Sequence, residues 1–546
     1  MRDPVKRNMK FINTLLNIDQ KTKEHDGGNE GKTSTRPRIM VFDFHSKMLI
    51  EVVKALQNRS IEILYWTASK KDFMEIFNDK NLFPNTIFHD ANDATAGIPA
   101  ADINTLPFEP IDQNLVKRFF ECEVKSLIMM SNVDRTDVPL MKKIYIYHKY
   151  LKYWYGIMTT LKPDAVIFSD VPHAPYKYVA YCLAKYLGIK VLIRRNTQIG
   201  GRMFVIDDIT DYKELKKQIE ANRGINFTLD DLSTDIRDYY KKQQSTDKSP
   251  AFYRGNAPHR RAHGLYRFLP SIKAIKKNIK ALTFLKTTYL YIQMLFTRRQ
   301  LPSLEKFIRP TWAIKLQERK WNKIKQEFKR EYLQYQTKPD YSKKYVYIPL
   351  HNQPERSTLS DGDIFIDQIL MIDMVRHAIP KDWVIYVKEN KMQWINPRTH
   401  TGRFKGYTEE IVAKENTYVV PVETSTFDLI RNSQAVAAVV STAALEAVLR
   451  GKPALVFGHT WYMYCDGVFK VSDLRSVEGA IEKIKAGYKP DQQKIINFLK
   501  AVDETTVLGY LNHRTRDIFD LNIHIVKDDK ENIKNITDAI YDELME

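Results

Sequence analysis

The alternation of apolar and polar positions along the chain predicts an α/β protein. Residues Ile39 to Phe44 form an apolar run typical of a buried strand, and Ile61 to Trp66 form another. Between them, apolar residues recur at helical spacing, at Leu49, Val52, Val53 and Leu56. A strand, a crossover helix and a strand within about thirty residues make a βαβ unit, which implies a parallel sheet.

The same pattern returns later in the first half of the chain. It predicts a strand, a helix and a strand at Val166 to Phe168, Tyr178 to Leu187 and Lys190 to Ile193. Residues 67–160 are less regular, and we expect them to be mostly helical. We therefore assign residues 37–230 to an N-terminal Rossmann-like domain, preceded by a flexible polar arm at 1–36.

A second set of strands and helices follows in residues 341–475. Its predicted strands are Tyr345 to Leu350, Trp383 to Val387, 417–420, Ala435 to Val440 and Ala454 to Phe457. Its predicted helices are Ile364 to Ala378 and one that starts at Ser425 or Thr426. The stretch HNQPERSTLSDGD is expected to be a long polar loop. These residues form a C-terminal Rossmann-like domain, and 476–546 read as a helical tail that could return to the first half.

The intervening stretch, 231–340, lacks a predicted strand and is strongly basic. Residues 254–330 contain 20 Lys and Arg and 3 Asp and Glu, a net charge of +17 out of +19 for the whole chain. Apolar residues recur at helical spacing between the lysines, which indicates basic amphipathic helices. The apolar run from Ala281 to Phe296 is shorter than the ~20 residues that a membrane-spanning helix needs.

Three interpretations of this basic helical module remain open. It could be a solvated surface, a nucleic-acid contact, or a segment that docks on anionic lipid. The sequence contains no zinc spacing, RNA-binding aromatic motif or glycine–arginine repeat that would accompany nucleic-acid binding. We therefore expect an anionic membrane surface as its partner, through 254–330, and no nucleic acid.

The cysteines and the N-terminus favour a cytoplasmic location. Cys122, Cys182 and Cys465 are far apart and match no metal spacing, which is typical of a reducing compartment. The N-terminal apolar run is not followed by a small-residue cleavage site, so we do not predict a signal peptide. The expected location is cytoplasmic and peripheral, at the inner face of the membrane.

The stretch VVSTAALEAVLRGKPALVFG, residues 439–458, is the first candidate for chemistry. It predicts a buried strand, a helix that opens at Ser441 and Thr442, and a second strand. A helix N-terminus presents free N–H groups and a partial positive charge, so it binds anions. Glu446 lies about one turn into the helix, where it could accept hydrogen bonds from ribose hydroxyls. The alternative is that a hydroxyl merely caps the helix and Glu446 is an exposed first-turn acid.

A second candidate follows the strand Val166 to Phe168. Open α/β sheets bind ligands outside the carboxyl ends of their strands, which places Asp170 and His173 well for chemistry. The alternative is that Asp170 caps the next helix and that the Pro172-His173 pair only shapes the turn.

Four motifs in this order resemble one known family. YIPLHNQPERST, FIDQILMIDM, WVIYVKEN and STAALEAVLRGKPALVFG are similar to segments of bacterial capsule and surface-polysaccharide biosynthesis proteins. Those proteins look like GT-B glycosyltransferases related to the Kdo transferases of capsule assembly. The resemblance covers about residues 341–460 and extends weakly to SDVPHAPYKYVAYCLAKYLGIKVL in the first half. It implies a GT-B-like fold: two doubly wound Rossmann-type domains facing a cleft, with the basic helical module between them.

The resemblance also implies roles for particular residues. Ser441 and Thr442 would hold the donor phosphate, and Glu446 would lie near the ribose or base of the nucleotide. The loop facing the cleft would present His351, Gln353, Pro354 and Glu355. In the family the strand ending in VKE is commonly followed by His-Pro, whereas this sequence has Asn390 and Lys391. Neither side chain is a near-neutral acid, although Asn390 can donate a hydrogen bond and Lys391 can supply charge.

The expected reaction is sugar transfer from a nucleotide-sugar donor to a glycan or lipid-linked acceptor. A base must take the proton of the acceptor hydroxyl, and the candidates are Asp170, His173 and Glu355. Leaving-group stabilisation would come from Ser441, Thr442, Lys388 and Asn390. We expect no cofactor and no metal, since Asp361 and Asp363 in SDGD read as turn formers beside Gly362.

Two further hypotheses stay open. A nucleotide-sugar epimerase or a polyol-phosphate transferase could use the same two-domain scaffold. Alternatively, the missing His-Pro favours a non-catalytic, membrane-associated scaffold protein of the polysaccharide pathway.

Overall fold

The computed structural model describes residues 36–245, 311–510 and 526–546, with short gaps. These gaps are 102, 106, 134–137, 198, 200, 396–398 and 527, and between 70 and 81 only residues 72 and 76 are described. The predicted N-terminal arm up to residue 35 and the amphipathic helix in 254–300 therefore lie outside the described residues. None of the helices in the described part of the chain is long and apolar enough to cross a membrane.

The described strands and helices alternate through both halves of the chain. The strands are β1 Arg38–Phe42, β2 Glu62–Ala68, β3 Ile87–Asp90, β4 Ala165–Phe168, β5 Lys190–Asn196, β6 Arg202–Ile206, β7 Tyr345–Pro349, β8 Val384–Lys388, β9 Thr417–Val419, β10 Ala435–Ala438, β11 Ala454–Val456, β12 Val468–Lys470 and β13 Val507–Leu508. The helices are α1 Lys47–Asn58, α2 Ala91–Ala96, α3 Gln113–Arg118, α4 Phe120–Val133, α5 Leu140–Leu161, α6 Pro175–Tyr186, α7 Lys213–Ala221, α8 Thr234–Ser245, α9 Thr311–Tyr335, α10 Arg356–Asp361, α11 Gln368–Ala378, α12 Met392–Ile395, α13 Tyr407–Val412, α14 Thr426–Asn432, α15 Thr442–Leu449, α16 Leu474–Lys485, α17 Gln492–Thr505 and α18 Asp529–Met545.

The first sheet has the strand order β13-β6-β5-β4-β1-β2-β3. Strands β1 to β5 pair in parallel, whereas β6 pairs antiparallel with both β5 and β13. The predicted strands of this half are confirmed within a few residues. The sequence reasoning missed β3 and β6, because β3 is short with alternating burial and β6 lies among polar residues near the sheet edge.

The second sheet has the order β12-β11-β10-β7-β8-β9, and all its pairings are parallel. The fold is thus two doubly wound α/β sheets, which confirms the GT-B-like class. One expectation was wrong here: the polar loop after β7 contains the helix α10. Leu359 in this helix is fully buried in the hydrophobic core, and that burial stabilises a helix that the polar sequence conceals.

Chain segments outside the two sheets pack against one or the other. Helix α9 lies on the second sheet, where the Tyr332 hydroxyl donates to the Val420 carbonyl and Trp321 stacks on His400. The C-terminal tail returns to the first sheet. Its β13 extends that sheet, and Ile536 and Ile540 of α18 are buried in the hydrophobic core between α18 and the first sheet.

Candidate functional site

The strand order of the second sheet reverses between β7 and β10. From β7 the chain proceeds to β8 and β9 on one side, and it returns to β10, β11 and β12 on the other. Ligands of open α/β sheets bind outside the carboxyl ends of the strands at such a reversal. His351 follows β7 and Ser441 follows β10, so the structure brings these two predicted site residues to the same crevice.

Helix α15 begins at this reversal. Ser441 is its N-cap, and its Oγ accepts a hydrogen bond from the Ala443 N–H (3.3 Å). The Tyr462 hydroxyl holds the Ser441 carbonyl at 2.6 Å, which fixes the direction of the helix. Gly451, at φ +76°, ends the helix in the left-handed conformation that glycine adopts without strain. Ser441 therefore performs the capping role, and both it and Thr442 remain half-buried at the crevice.

Glu446 is buried inside the protein, not exposed on the first turn. Its side chain is 5% exposed and hydrogen-bonds to Thr442. Burial raises the pKa of Glu446 to about 7, and the nearby charges of Arg450 and Lys388 limit that rise. A carboxyl group with such a pKa can donate or accept a hydrogen bond near neutral pH.

Lys388 places a cation beside Glu446 at the carboxyl end of β8. Its ammonium donates to the Thr424 carbonyl (2.9 Å) and to Thr426. Burial lowers the pKa of Lys388 to about 8, and the charge of Lys391 adds to this effect. Lys388 ends β8 and the N-terminus of α15 follows β10, so both lie at the same edge of the sheet. A lysine and a helix N-terminus in such positions suit an anionic ligand.

His351 connects the loop after β7 to the end of β10. The Val440 N–H donates to its Nε2 (3.3 Å), and its Nδ1 lies 3.0 Å from the Glu355 carboxylate. Because Nε2 accepts, the proton of the neutral ring sits on Nδ1 and is donated to Glu355. His351 is thereby engaged on both sides, and Glu355 is held in place at the N-cap of α10.

Gln353 shapes the same loop from the inside. Its side chain is 4% exposed, donates to the Thr358 hydroxyl (2.8 Å) and accepts from the Glu355 N–H (3.2 Å). Its backbone N–H donates to the Gln393 side chain at 2.7 Å. The Gln353 side chain, which belongs to the loop expected to face the cleft, thus forms its hydrogen bonds within that loop.

Asn390 lies two residues before helix α12. Its Oδ1 accepts from the Met392 N–H (2.9 Å), and it remains half-buried beside exposed Lys391. The preceding residue, Glu389, forms a buried ion pair with Arg403 at 2.8 Å, with both side chains 2% exposed. Sequence reasoning missed this pair, although an acid directly after a buried strand was a signal for it.

In the first sheet the strand order reverses between β1 and β4, and Asp170 follows β4. Its carboxylate is half-buried and accepts from the Val171 N–H (2.9 Å). His173 donates from Nδ1 to the Val171 carbonyl (2.7 Å), which holds the turn. Both residues therefore lie at the ligand-binding edge that the sequence predicts.

An ion pair between the two domains lies next to Asp170. Arg195 Nη1 and Asp361 Oδ2 are 2.7 Å apart, and Asp361 is 1% exposed. Asp170 is close enough to act on the charge of both residues, as well as on buried Arg194. Asp361 and Asp363 lie on either side of Gly362, where α10 ends and the next short helix begins, and Asp363 has a φ of +51°. The sequence did not show their ion pairs, which Asp361 forms with Arg195 and Asp363 with Lys125 (3.1 Å).

Asp43, at the end of β1, is a further residue at this edge that sequence reasoning missed. Its carboxylate lies 2.6 Å from the Lys177 ammonium and accepts from the Tyr176 hydroxyl at 2.6 Å. Burial works to raise its pKa, but Lys177 and Tyr176 outweigh burial and lower it. Its place at the end of the first apolar run was a signal that the sequence contained, and the structure gives it a φ of +59°.

No group of three or more His, Cys, Asp or Glu side chains in the described ranges could hold a metal ion. Metal independence stays a prediction.

Comparisons with known proteins support the resemblance seen in the sequence. A family model described as capsule polysaccharide biosynthesis protein matches residues 268–477, which include the second sheet. This match confirms the resemblance to capsule polysaccharide biosynthesis proteins over that region. No curated protein matches this chain in sequence.

Several solved structures are also similar to this chain. The beta Kdo 2,7 transferase of Thermosulfurimonas dismutans KpsC is 10% identical to this chain, with a TM-score of 0.31. The match covers 68% of this chain and 88% of the transferase chain. The beta Kdo 2,4 transferase of the same organism's KpsC is 11% identical, with 64% and 82% covered and a TM-score of 0.27. A UDP-GlcNAc 2-epimerase from Neisseria meningitidis is 14% identical, with 86% and 99% covered and a TM-score of 0.22.

Proposed function

We propose that this chain is a glycosyltransferase of surface-polysaccharide synthesis, moving a sugar from a nucleotide-sugar donor to a glycan or lipid-linked acceptor. The observation that supports this most is the arrangement of side chains at the start of α15. There the helix N-terminus, Lys388 and the Thr442–Glu446 pair meet at the strand-order reversal of the second sheet. The same residues lie within the region that the capsule biosynthesis model matches.

In this proposal the donor phosphate lies at the N-terminus of α15. The Ser441 and Thr442 hydroxyls and Lys388 stabilise the negative charge that develops as the nucleotide leaves. Asn390 adds a hydrogen-bond donor from its amide. Glu446, held by Thr442, is placed to bind the ribose hydroxyls. His351 and Gln353 act as positioning residues, since the side chains of both form hydrogen bonds within the loop after β7.

Asp170 is the preferred base because it lies beside the junction of the two domains. It takes the proton of the acceptor hydroxyl while that oxygen attacks the anomeric carbon. The bond from the anomeric carbon to the donor phosphate breaks, and its electron pair leaves with the phosphate. His173 and Glu355 are the alternative bases; His173 Nδ1 donates to the Val171 carbonyl, and Glu355 accepts from His351.

We also propose where the protein lies in the cell and what the reaction requires. The reaction needs neither a metal nor a cofactor, and the protein is cytoplasmic. The basic segment 254–330 docks it to the anionic inner face of the membrane. Deleting 254–300 should weaken its binding to anionic vesicles, and unchanged binding would exclude this segment as the anchor.

The donor site is tested by thermal unfolding with CMP, CDP, UDP, GDP and TDP, each with and without magnesium. A ligand that binds only the native state raises the unfolding midpoint, so we expect one nucleotide to do so. Replacing Ser441 by Ala and Thr442 by Val should remove the shift. Ser46→Ala is the matched control, because Ser46 caps α1 in the same way but lies in the first domain.

Two results would contradict the proposal. If no nucleotide shifts the midpoint of the folded protein, the non-catalytic scaffold becomes the better hypothesis. If the protein interconverts a nucleotide sugar without any acceptor, it is an epimerase.

A further inference from the structure

A cluster of exposed apolar side chains covers one side of the first domain. It consists of Phe120 and Val124 on α4, Leu140, Met141 and Tyr145 on α5, and Tyr186 at the end of α6. Met141 is 72% exposed and Tyr145 is 64% exposed, although both are large. Large apolar patches that stay exposed on a folded protein mark surfaces that meet another apolar surface. We call this cluster the α4–α5 face.

The two helices present this face side by side. Along α4, Phe120, Val124, Leu127 and Ser131 follow at steps of four, three and four, which places them on one stripe. The Lys143 ammonium of α5 donates to the Ser131 hydroxyl (3.1 Å), so that stripe borders α5. At the other end the Tyr147 hydroxyl donates to the Phe119 carbonyl (3.0 Å). Most of the exposed groups therefore lie on two helices that contact each other.

Positive side chains outnumber negative ones near the apolar groups, and the exposed Glu121 of α4 pairs with Lys125. Helix α5 carries Lys142, Lys143, Lys149 and Lys152 and no acidic residue. The Lys149 ammonium lies 6.0 Å from the centre of the Tyr145 ring, and the Arg118 guanidinium lies 5.4 Å from that of Tyr186. Exposed aromatic rings paired with cations are typical of the interfacial zone of a bilayer.

We propose that the α4–α5 face docks on the surface of an anionic lipid bilayer. Apolar side chains enter the boundary between head groups and acyl chains, while the lysines meet anionic head groups. A second copy of this chain would bring positive charge against positive charge. Residues 254–304 contain no acidic residue, so this segment would also bring positive charge against positive charge if it covered the face. Nucleic acid would meet the lysines but would leave Leu140 and Met141 exposed to water.

The α4–α5 face is made of residues outside the basic segment 254–330. Its docking does not depend on which reaction the protein catalyses. It lies next to the junction of the domains, because Lys125 of α4 pairs with Asp363 of the second domain. Ile364, the residue after Asp363, is 60% exposed. If the proposed transferase function holds, a bilayer docked here presents a lipid-linked acceptor at the mouth between the two sheets.

The full-length protein with an NBD fluorophore at position 141 tests the contact directly. Met141→Cys is labelled in a Cys182→Ser background, since the other two cysteines are buried. With vesicles of phosphatidylcholine and phosphatidylglycerol we expect a blue shift of the emission and quenching by brominated lipid. The control is a label at Ile225→Cys, an exposed apolar position outside the face, which should do neither.

Vesicle partitioning gives a second measurement. Met141→Glu with Tyr145→Glu should lower the partition coefficient at least about tenfold, whereas Ile225→Glu should leave it unchanged. An unshifted probe on protein that sediments with the vesicles would overturn the proposal. So would a probe already blue-shifted without vesicles, which would mean that the chain itself covers the face. Equal partitioning into pure phosphatidylcholine would exclude the anionic preference. None of these readouts depends on nucleotide binding.

Discussion

Arg195 and Asp361 form a buried ion pair between the two halves of the molecule, 2.7 Å apart. Arg195 lies on β5 of the first sheet, and Asp361 ends α10 beside the second sheet. The Asp361 carbonyl also accepts from the His459 N–H (2.7 Å). Gly458 approaches so closely that a Cβ there would lie 2.6 Å from that carbonyl. The contact thus ties the loop after β7 to the loop after β11, next to Asp170.

Asp361→Asn should destabilise the protein by about 1–3 kcal/mol, because it removes the carboxylate paired with Arg195, while the Asp170 charge compensates Arg195 in part. Urea unfolding measures this loss. The matched control is Asp373→Asn, whose side chain is 52% exposed and pairs with Lys414 at 2.6 Å. An exposed pair contributes at most about 1 kcal/mol. Equal losses in the two variants would show that the Arg195–Asp361 pair does not join the domains.

The stability of the protein should fall as the pH rises from about 4.5 to about 7, through Glu446. Its folded pKa of about 7 lies above the ordinary value of 4.5, so the native state binds the proton more tightly than the unfolded chain. This contribution is complete below pH 4.5 and is lost by about pH 7. The amide of Glu446→Gln does not titrate. The free energy of unfolding of this variant should therefore rise by about 3 kcal/mol relative to that of the wild type as the pH goes from about 4.5 to about 7.

The comparison requires urea unfolding of both proteins at several pH values between 4 and 8. Glu482→Gln, at a side chain that is 67% exposed, should follow the wild type at every pH. A constant difference between Glu446→Gln and the wild type would mean that the pKa of Glu446 is the same in the folded and unfolded states.

His351→Leu should cost about 1–3 kcal/mol, because it removes the acceptor of the Val440 N–H at the entrance of α15. Hydrogen exchange of peptides covering 436–444 should become faster at Val440. The control is His377→Leu, a histidine that is 66% exposed, which should change neither quantity. Unchanged protection of Val440 in His351→Leu would show that the two loops are held together by other contacts.

Ile536→Ala should destabilise the first domain by about 2–5 kcal/mol, since this fully buried residue of α18 packs in the core of the first sheet. Met545→Ala, on the same helix but 55% exposed, should cost less than about 0.5 kcal/mol. Thermal unfolding gives both values. Equal midpoints for the two variants would mean that the tail contributes nothing to the first domain.

The parallel strands were predictable because each is a short apolar run that stands out from its polar surroundings. The run Ala435 to Val440 and the helix opening at Ser441 appear in the structure nearly as predicted. β3 and α10 were not predictable in this way. β3 alternates buried and half-buried residues, and α10 is a polar helix in which Leu359 alone supplies the fully buried apolar side chain.

The candidate site shows the same division. The sequence placed Asp170 and Ser441 at the carboxyl ends of strands, and the sheet topology keeps them there. It could not show that the Gln353 side chain is turned inward, since its partner Thr358 belongs to a helix that was read as loop. Nor could it show that Glu446 is buried, because that depends on the elements packed around α15.

Local sequence patterns were enough to predict the parallel strands of both sheets, the helix that begins at Ser441 and the concentration of positive charge in one segment. These follow from local periodicity, capping and composition, which act between residues close together in the chain. The tertiary structure decided the Arg195–Asp361 pair, the proton position on His351, the raised pKa of Glu446 and the return of α18 to the first sheet. Each of these depends on groups far apart in the chain, and their contact and loss of solvent arise only when the two sheets and their helices pack together.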